Sequence, residues 1–412
     1  MTPSALMIGW SCKKLDELGS VGRGKSRHRP RNDPSLYGGI YPFVQTGDVK
    51  AAEFYIKNYA QTYNEKGLAQ SKLWNPGTLC ITIAANIAET AILAIPSCFP
   101  DSIVGFVADP EKADVRFVKY YIDTIKLNMQ NISKGTTQDK LSLDKLLTFY
   151  ILAPPLSTQR KIAAILSAYD DLIENNTRRI KILEEMAQAL YREWFVHFRF
   201  PGHEKVQMVD SLLGKIPEGG EVKKASEIIF INPRTKVPKE GLKPFVMMES
   251  LSTDSMILEN FKTKTGNSGS KFKNHDTLFA RITPCLENGK TGFVQFLASD
   301  DDVALGSTEF IVLRSRLVVP EFVYLMARSQ AFRDHAIKSM CGATGRQRVN
   351  EACFDNFLVA KPNDAVLQGF HEIVSPIFEL VHLLAGKNAT LRRTRDILLP
   401  KLISGEVKYT GR

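Results

Sequence analysis

The 412-residue sequence predicts a mixed α/β (α+β) protein in which two globular domains, related as a pseudo-twofold repeat, are separated by a long antiparallel two-helix coiled coil. Three features support this fold class: an apolar seam with alternating four- and three-residue spacing, a second copy of that seam later in the chain, and short strand-like runs ahead of each seam. The predicted order is globule, helix, globule, helix.

The first helix is expected to start at Ser157, because Pro154 and Pro155 cannot continue a helix and a serine can cap one. Its predicted end lies before Gly202. The seam consists of Ile162, Leu166, Tyr169, Ile173, Asn176, Ile180, Leu183, Ala187, Leu190 and Trp194. At ~1.5 Å per residue such a rod is roughly 60 Å long, and its apolar stripe needs a partner.

The predicted partner is a second seam in which every position recurs 208 residues later. It consists of Phe370, Val374, Ile377, Val381, Leu384, Asn388, Leu391, Arg395, Leu398 and Leu402. Segments 10–14 and 41–44 likewise match 220–224 and 243–246, so the duplication extends into the globules. We predict a first domain at 1–153, a first helix at 154–199, a linker and second domain at 200–361, and a second helix with a tail at 362–412.

An antiparallel pair is favoured because it needs only short connections between helix and globule. In full overlap, the facing positions include Ile162 with Leu402 and Trp194 with Phe370. The one asparagine of each seam, Asn176 and Asn388, would then meet, and two amides that bond each other are expected to fix the register. The same register places Tyr169 beside Arg395, where the guanidinium could stack on the ring.

Short runs rich in Ile and Val, each bounded by turn residues, predict the strands of both globules. They are 40–44, 79–84, 91–95 and 103–107 in the first globule, and 244–248, 277–282, 291–296 and 310–313 in the second. Residues 114–130 carry a mixed helical pattern. Each globule is therefore expected to combine strands with helix.

Composition favours a polyanionic partner, because the net charge is +10 and the pI is about 9.2. Six cysteines without a CxxC pair predict reduced core thiols rather than a zinc site. No apolar run reaches the ~18 residues of a membrane span, and Met1 to Trp10 has no leader pattern. We therefore expect a cytoplasmic protein.

Candidate nucleic-acid contacts lie in loops of both globules. The densest basic run is broken by glycines, which suits phosphate contacts, and other loops combine Arg, Gln and Thr, which bond to base edges or phosphates. The candidates in the first globule are Arg23, Lys25, Arg27, Arg29, Arg31, Gln45, Thr46, Thr136, Thr137 and Gln138. Those in the second are Arg281, Thr344, Arg346, Gln347 and Arg348. The alternatives are a solvated loop for the first run, a simple turn at Gln45 and a structural ion pair for Arg281.

The basic loop also contains a nucleotide-binding signature. Residues 19–26, GSVGRGKS, satisfy the G-x-x-x-x-G-K-S pattern of a phosphate loop. That motif needs a helix directly after it, whereas Pro30 and Pro34 follow here. An ATP-dependent enzyme with the helices as a dimerising arm is therefore retained only as an alternative. A coiled-coil scaffold without DNA is disfavoured by the basic loops.

The helices resemble the conserved regions of specificity subunits from type I restriction-modification systems. The resemblance rests on PPLSTQRKIA at 154–163, DDLIENN at 170–176, YREWF at 191–195 and residues 388–405. It implies two target-recognition domains that read DNA, docked to two methyltransferase subunits and optionally to endonuclease and translocase subunits. It also implies no catalysis and no cofactor on this chain, with S-adenosylmethionine on the methyltransferase and ATP with Mg on the endonuclease.

Overall fold

The computed structural model describes residues 9–134, 141–343 and 345–407. The chain divides into two compact units. Unit 1 comprises Met1–Asn175 with Ala389–Arg412, and unit 2 comprises Asn176–Asn388. Both long helices contribute one half to each unit, so each unit has its own segment of the helix pair. No helix among the described residues combines the length and apolar character needed to cross a membrane.

Unit 1 contains eleven strands and most of the first long helix among its described residues. Its elements are β1 (Ser11–Lys14), β2 (Gly19–Arg23), β3 (Tyr37–Phe43), α1 (Thr46–Ala51), β4 (Tyr55–Ile56), β5 (Gln61–Tyr63), α2 (Glu65–Ala69), β6 (Leu73–Trp74), β7 (Leu79–Thr82), β8 (Thr90–Leu93), β9 (Ser97–Cys98), β10 (Ile103–Ala108), α3 (Val115–Lys134), α4 (Leu143–Leu146), β11 (Tyr150–Ala153) and α5 (Leu156–Tyr191). The sheets have the orders β2-β10-β7-β8-β4, β5-β3-β9-β6 and β1-β11.

Unit 2 repeats this arrangement. Its elements are β12 (Met208–Ser211), β13 (Gly214–Pro217), β14 (Glu221–Lys224), α6 (Ala225–Ile228), β15 (Ile229–Ile231), β16 (Lys243–Val246), β17 (Lys262–Lys264), β18 (Ser270–Phe272), β19 (Thr277–Ala280), β20 (Thr291–Phe293), β21 (Ala304–Gly306), β22 (Phe310–Ser315), α7 (Pro320–Arg328), α8 (Gln330–Lys338), β23 (Leu358–Lys361) and α9 (Asp364–Ile403). The sheets are β15-β22-β19-β20, β17-β16-β21-β18 and β14-β23, with a separate β12-β13 hairpin.

The internal duplication inferred from the seams is present in the sheet topology. Strand β3 lies parallel to β9 and antiparallel to β5, and β16 lies parallel to β21 and antiparallel to β17. The first and last strands of each globule also pair alike, with Ser11 opposite Ala153 in unit 1 and Glu221 opposite Lys361 in unit 2. Each globule is therefore closed by its own end strands directly before a long helix.

The first long helix begins one residue earlier than predicted. Pro155 O accepts hydrogen bonds from the backbone N–H groups of Thr158 and Gln159, so Ser157 lies inside the first turn of α5 and is not its N-cap. After Tyr191 the chain continues as one π-helical turn, Arg192–Val196. The second helix, α9, runs without interruption through its seam.

The antiparallel pairing is confirmed in each unit. In unit 1, Ile162 and Leu166 share the apolar core with Leu402 and Ile403. In unit 2, the ring centroids of Trp194 and Phe370 are 5.7 Å apart. These are the facing partners expected from full overlap of the seams, because an antiparallel pair brings the start of one seam to the end of the other.

The asparagines meet as the seam register predicts. Asn176 Nδ2 donates to Asn388 Oδ1 at 2.9 Å, and Asn388 Nδ2 donates to Thr177 Oγ1 at 3.2 Å. Asn388 is only 3% exposed, so both ends of its amide have partners inside the helix pair of unit 2. A buried amide with both ends bonded carries no unsatisfied polar group.

The predicted stacking of Arg395 on Tyr169 is wrong. Among the described residues, the Arg395 guanidinium instead pairs with the carboxylates of Asp170 and Asp396. Asp170 also accepts a hydrogen bond from the hydroxyl of Tyr120 on α3. The carboxylate of Asp170, one residue from Tyr169, binds the guanidinium instead, because an ion pair with hydrogen bonds is stronger than a cation–π contact.

Candidate nucleic-acid interface

The basic loop of unit 1 follows β2 and is anchored by its backbone. Gly24 N donates to Ile103 O at 2.9 Å, and Lys25 N donates to Phe99 O at 3.0 Å. A Cβ at residue 24 would lie 2.3 Å from the carbonyl oxygens of both Phe99 and Pro100, so only glycine fits. The backbone of the loop is therefore held against the sheet.

The five cations at 23–31, of which Arg23 ends β2, fall into two groups. Arg23 donates to Asp101 O at 3.1 and 2.9 Å, Arg31 pairs with the Asp101 carboxylate, and Arg29 donates to the carbonyls of Ser26 and His28 at 2.6 and 2.8 Å. Lys25 and Arg27 are exposed, and their side chains have no partner within the described chain. These two are the cations of the loop most readily available to phosphates.

Gln45 and Thr46 lie at the start of a helix rather than in an open loop. Gln45 is the N-cap residue of α1, its backbone N–H donates to Asp48 at 2.8 Å, and its amide donates to Gln61 at 2.6 Å. Thr46 is the first residue of that helix. Four further candidates, Thr136, Thr137, Gln138 and Thr344, lie outside the described residues.

The phosphate-loop signature does not have the structure that a nucleotide site requires. Residues 19–23 form strand β2 itself, and 24–33 contain no helix. A phosphate loop places its glycines after a strand and before a helix whose N-terminus faces the phosphates. The ATP-dependent alternative therefore has no support from this segment.

Unit 2 has a second basic loop at the repeat-related place, which was not among the candidates from sequence. Residues 232–242 connect β15 to β16, as residues 24–36 connect β2 to β3, and they carry Arg234, Lys236 and Lys239. The match between 41–44 and 243–246 already implied this equivalence. Its charges are spread more thinly than those of the first loop, so no dense basic run marks it in the sequence.

The second loop is tied to the sheet by a buried ion pair. Arg314 donates two hydrogen bonds of 2.7 Å to the carboxylate of Asp276 and one of 3.1 Å to Thr235 Oγ1. Burial raises the pKa of Asp276, and the hydrogen bonds from Arg314 oppose that rise. The backbone N–H of Val312 donates a further hydrogen bond to Asn232 Oδ1 at 2.8 Å.

This loop borders an open cleft of about 520 Å³ in unit 2. Its wall contains three cations and no carboxylate. The lining residues are Asn232, Pro233, Arg234, Thr235, Gly269, Ser270, Lys271, Arg281, Thr308, Phe310 and Val312. Of these, sequence analysis identified only Arg281. A concave cationic surface with hydroxyl groups is suited to a phosphate backbone.

Two predicted arginines of unit 2 are held by acidic partners. Arg281 Nη1 donates to Glu351 at 2.8 Å and Nη2 donates to Val349 O at 3.0 Å. Arg348 binds both carboxylate oxygens of Glu309 at 2.7 to 3.1 Å, and this contact holds the pKa of Glu309 below its usual value. The structural ion pair considered for Arg281 is thus present.

The neighbouring Arg346 and Gln347 are arranged differently. Arg346 is exposed, and its guanidinium has no partner among the residues described. The backbone of Gln347 is fixed by Thr283, whose Oγ1 accepts from Gln347 N at 3.1 Å and whose own N–H donates to Gln347 O at 3.1 Å. The loop is therefore rigid at residue 347 and leaves the side chains of both residues available to a ligand.

The fold combines two globular units with a long helix pair, and comparison with known proteins shows which proteins have a similar sequence and fold. The family model described as type I restriction modification DNA specificity domain matches residues 7–185. The Type I restriction enzyme MjaIX specificity subunit of Methanocaldococcus jannaschii is 28% identical over 97% of this chain and 94% of its own length. The HindI specificity subunit of Haemophilus influenzae is 24% identical over 67% of this chain and 72% of its own length.

A solved structure agrees in fold. The crystal structure of a type I restriction-modification system S subunit from M. genitalium superposes with a TM-score of 0.61 at 16% identity, covering 98% of this chain and 99% of that one. Over nearly its whole length, the chain is therefore similar to specificity subunits of type I restriction-modification systems. Such a subunit recognises the DNA target and is not the catalytic part of the complex.

Proposed function

We propose that each unit reads one half of a split, asymmetric DNA target, and that the helix pair docks two methyltransferase subunits and, where present, endonuclease subunits. The observation that supports this is the placement of basic loops at the same repeat position in both units, at 24–36 and 232–242. A duplicated fold with a cationic loop in each copy is suited to two separate contacts on one duplex.

The two half-sites should differ because repeat-related positions carry different chemistry. The carbonyl of Ile83 accepts from Leu141 N in unit 1, and the carbonyl of Arg281 accepts from Val349 N in unit 2. An aliphatic residue in one unit thus corresponds to an arginine in the other. We propose half-site centres about one helical turn, ~10 bp, apart, so that both are read on one face of the duplex.

The same proposal assigns the cofactors to partner subunits. S-adenosylmethionine would bind to the methyltransferase, and ATP with Mg would bind to the endonuclease, in a cytoplasmic complex. This chain would supply the recognition of the DNA sequence and the surface on which the partner subunits dock. The absence of a helix after residues 19–23 supports placing ATP elsewhere.

Neutralising the free cations of the first loop tests its contact with the backbone. In a Lys25→Gln, Arg27→Gln variant we expect weaker binding to every sequence and a salt slope of log K that is shallower by about 1.8, since each lost phosphate contact removes ~0.9. The matched control, Lys13→Gln with Lys112→Gln, removes two exposed charges of unit 1 outside this loop. An unchanged slope in the first variant would remove the loop from the interface.

Changing the loop of unit 2 that carries Arg346 and Gln347 tests sequence reading. Arg346→Ala or Gln347→Ala, expressed with the methyltransferase partner, should relax or change one half-site and leave the other unaltered, because Arg and Gln discriminate guanine and adenine. Methylome sequencing of the host measures this directly. If affinity falls while the methylated sequence stays the same, the loop contacts the backbone only. Methylation at a continuous palindrome would contradict the split target.

A further inference from the structure

Two of the most exposed apolar side chains occupy the same position in the two units. Ile40 is 80% exposed and Leu242 is 71% exposed. Among the described residues, the only other large apolar side chains that are more than 70% exposed are Leu127 and Leu212. Ile40 directly precedes segment 41–44 and Leu242 directly precedes 243–246, the pair of segments that match in the repeat.

Ile40 lies in a bulged turn of β3, and Leu242 follows the bend at Gly241 directly before β16. Gly38 has φ +81° two residues before Ile40, and Gly241 has φ +84° directly before Leu242. In unit 1, Tyr37 and Tyr41 both face Tyr63 in the β3–β5 ladder, so residues 38–40 bulge out of the sheet. The apolar side chain therefore projects from a defined backbone shape.

Polar clamps hold both turns. In unit 1, Asn64 Nδ2 donates to the carbonyls of Ser35 and Tyr37 at 2.9 and 3.1 Å, and a Cβ at Gly39 would lie 2.4 Å from Asn64 Cα. In unit 2, Lys243 is 6% exposed and its Nζ donates to the carbonyls of Glu240 and Gly241 at 2.9 and 3.1 Å. An asparagine side chain in unit 1 and a lysine side chain in unit 2 thus fix the backbone at corresponding positions.

Each turn is connected to a basic loop. The hydroxyl of Tyr37 donates to Arg31 O at 2.7 Å, which ties the basic loop of unit 1 to the strand that carries Ile40. In unit 2, Lys239 lies three residues before Leu242, and Lys264 lies opposite Lys243 in the β16–β17 ladder. An exposed apolar side chain needs no explanation on its own, but its repetition on a clamped, cationic turn does.

We propose that Ile40 and Leu242 each contact the methyl group of a thymine in the major groove, one in each half-site. This inference rests on the proposed function, because it requires both units to bind DNA. The thymine methyl is the apolar group that duplex DNA presents in a groove without unstacking. The cations of the same loops would hold the phosphates on either side, which positions the apolar side chain over the base edge.

Single uracil substitutions test this contact, since uracil lacks the methyl group. The complex of this chain with its methyltransferase partner is titrated with duplexes of the methylated target in which each thymine is replaced in turn. We expect wild type to lose about fourfold in affinity at one thymine in each half-site, the factor for one buried methyl-sized group. Ile40→Ala should abolish the loss in one half-site, and Leu242→Ala should abolish it in the other.

Leu127→Ala and Leu212→Ala are matched controls, because both side chains are as exposed as the tested pair and neither lies on these turns. Both should keep the full uracil profile. The inference is overturned if uracil is tolerated at every thymine, if the profile survives in Ile40→Ala and Leu242→Ala, or if a half-site contains no thymine. Absence of any sequence-specific binding by the wild-type complex would overturn the proposed function instead.

Discussion

Replacing Arg395 by alanine is expected to lower the free energy of unfolding of unit 1 by about 3 kcal/mol, because it leaves a buried carboxylate without its counter-charge. The side chains of Arg395 and Asp170 are only 25% and 10% exposed. Asp170 would retain the hydroxyl of Tyr120 as a donor, and Tyr120 is 2% exposed. Burial and the Asp170 carboxylate raise the pKa of that hydroxyl, which therefore stays neutral and can donate a hydrogen bond but supplies no positive charge.

Hydrogen exchange of peptides from β7 and α3 would measure the loss within unit 1. The matched control is Arg392→Ala on the same helix, whose ion pair with Glu53 has side chains 38% and 50% exposed and should contribute less than about 1 kcal/mol. If Arg395→Ala and Arg392→Ala lower the free energy of unfolding equally, the ion pair between Arg395 and Asp170 contributes little to stability. Peptides from unit 2 should be unaffected in either variant.

Asn176→Leu is expected to destabilise the helix pair of unit 2 by about 1 to 3 kcal/mol, since it removes the donor to a buried amide oxygen. Asn388→Leu should cost less, because Asn176 is less buried and water can reach its amide. The double variant should recover part of the loss, as both polar groups leave the seam together. Its register is then no longer specified, and we expect methylation at altered half-site spacing.

The control for this series is Asn175→Leu, at an exposed neighbouring position, which should leave both stability and spacing unchanged. Chemical denaturation gives the three stabilities, and the methylome gives the spacing. The register hypothesis fails if the loss in free energy of unfolding of the double variant equals the sum of the two single losses, since independent sites are additive. It also fails if the half-site spacing is identical in all variants.

The long helices and the repeat were predictable because a seven-residue apolar period survives in sequence without any knowledge of tertiary contacts. The Asn176–Asn388 contact followed from the same spacing. The partners of Arg281 and Arg348 did not, because Glu351 and Glu309 lie 70 and 39 residues away and no local pattern links them. The cleft around Lys271 and Thr308 was missed for the same reason: loops that are distant in sequence form its wall.

The long seam is completed late in synthesis. The partner of Asn176 is Asn388, which is synthesised 212 residues later, and the partner of Asp170 is Arg395, which is synthesised 225 residues later. At about 5–20 residues per second, the apolar face of α5 stays uncovered for roughly 10 to 45 s after it leaves the ribosome. During that interval the α5 helices of neighbouring nascent chains on one messenger RNA can pair with each other. Slower translation of residues 200–361 should therefore increase misassembled dimers, and chaperones that cover the face should reduce them.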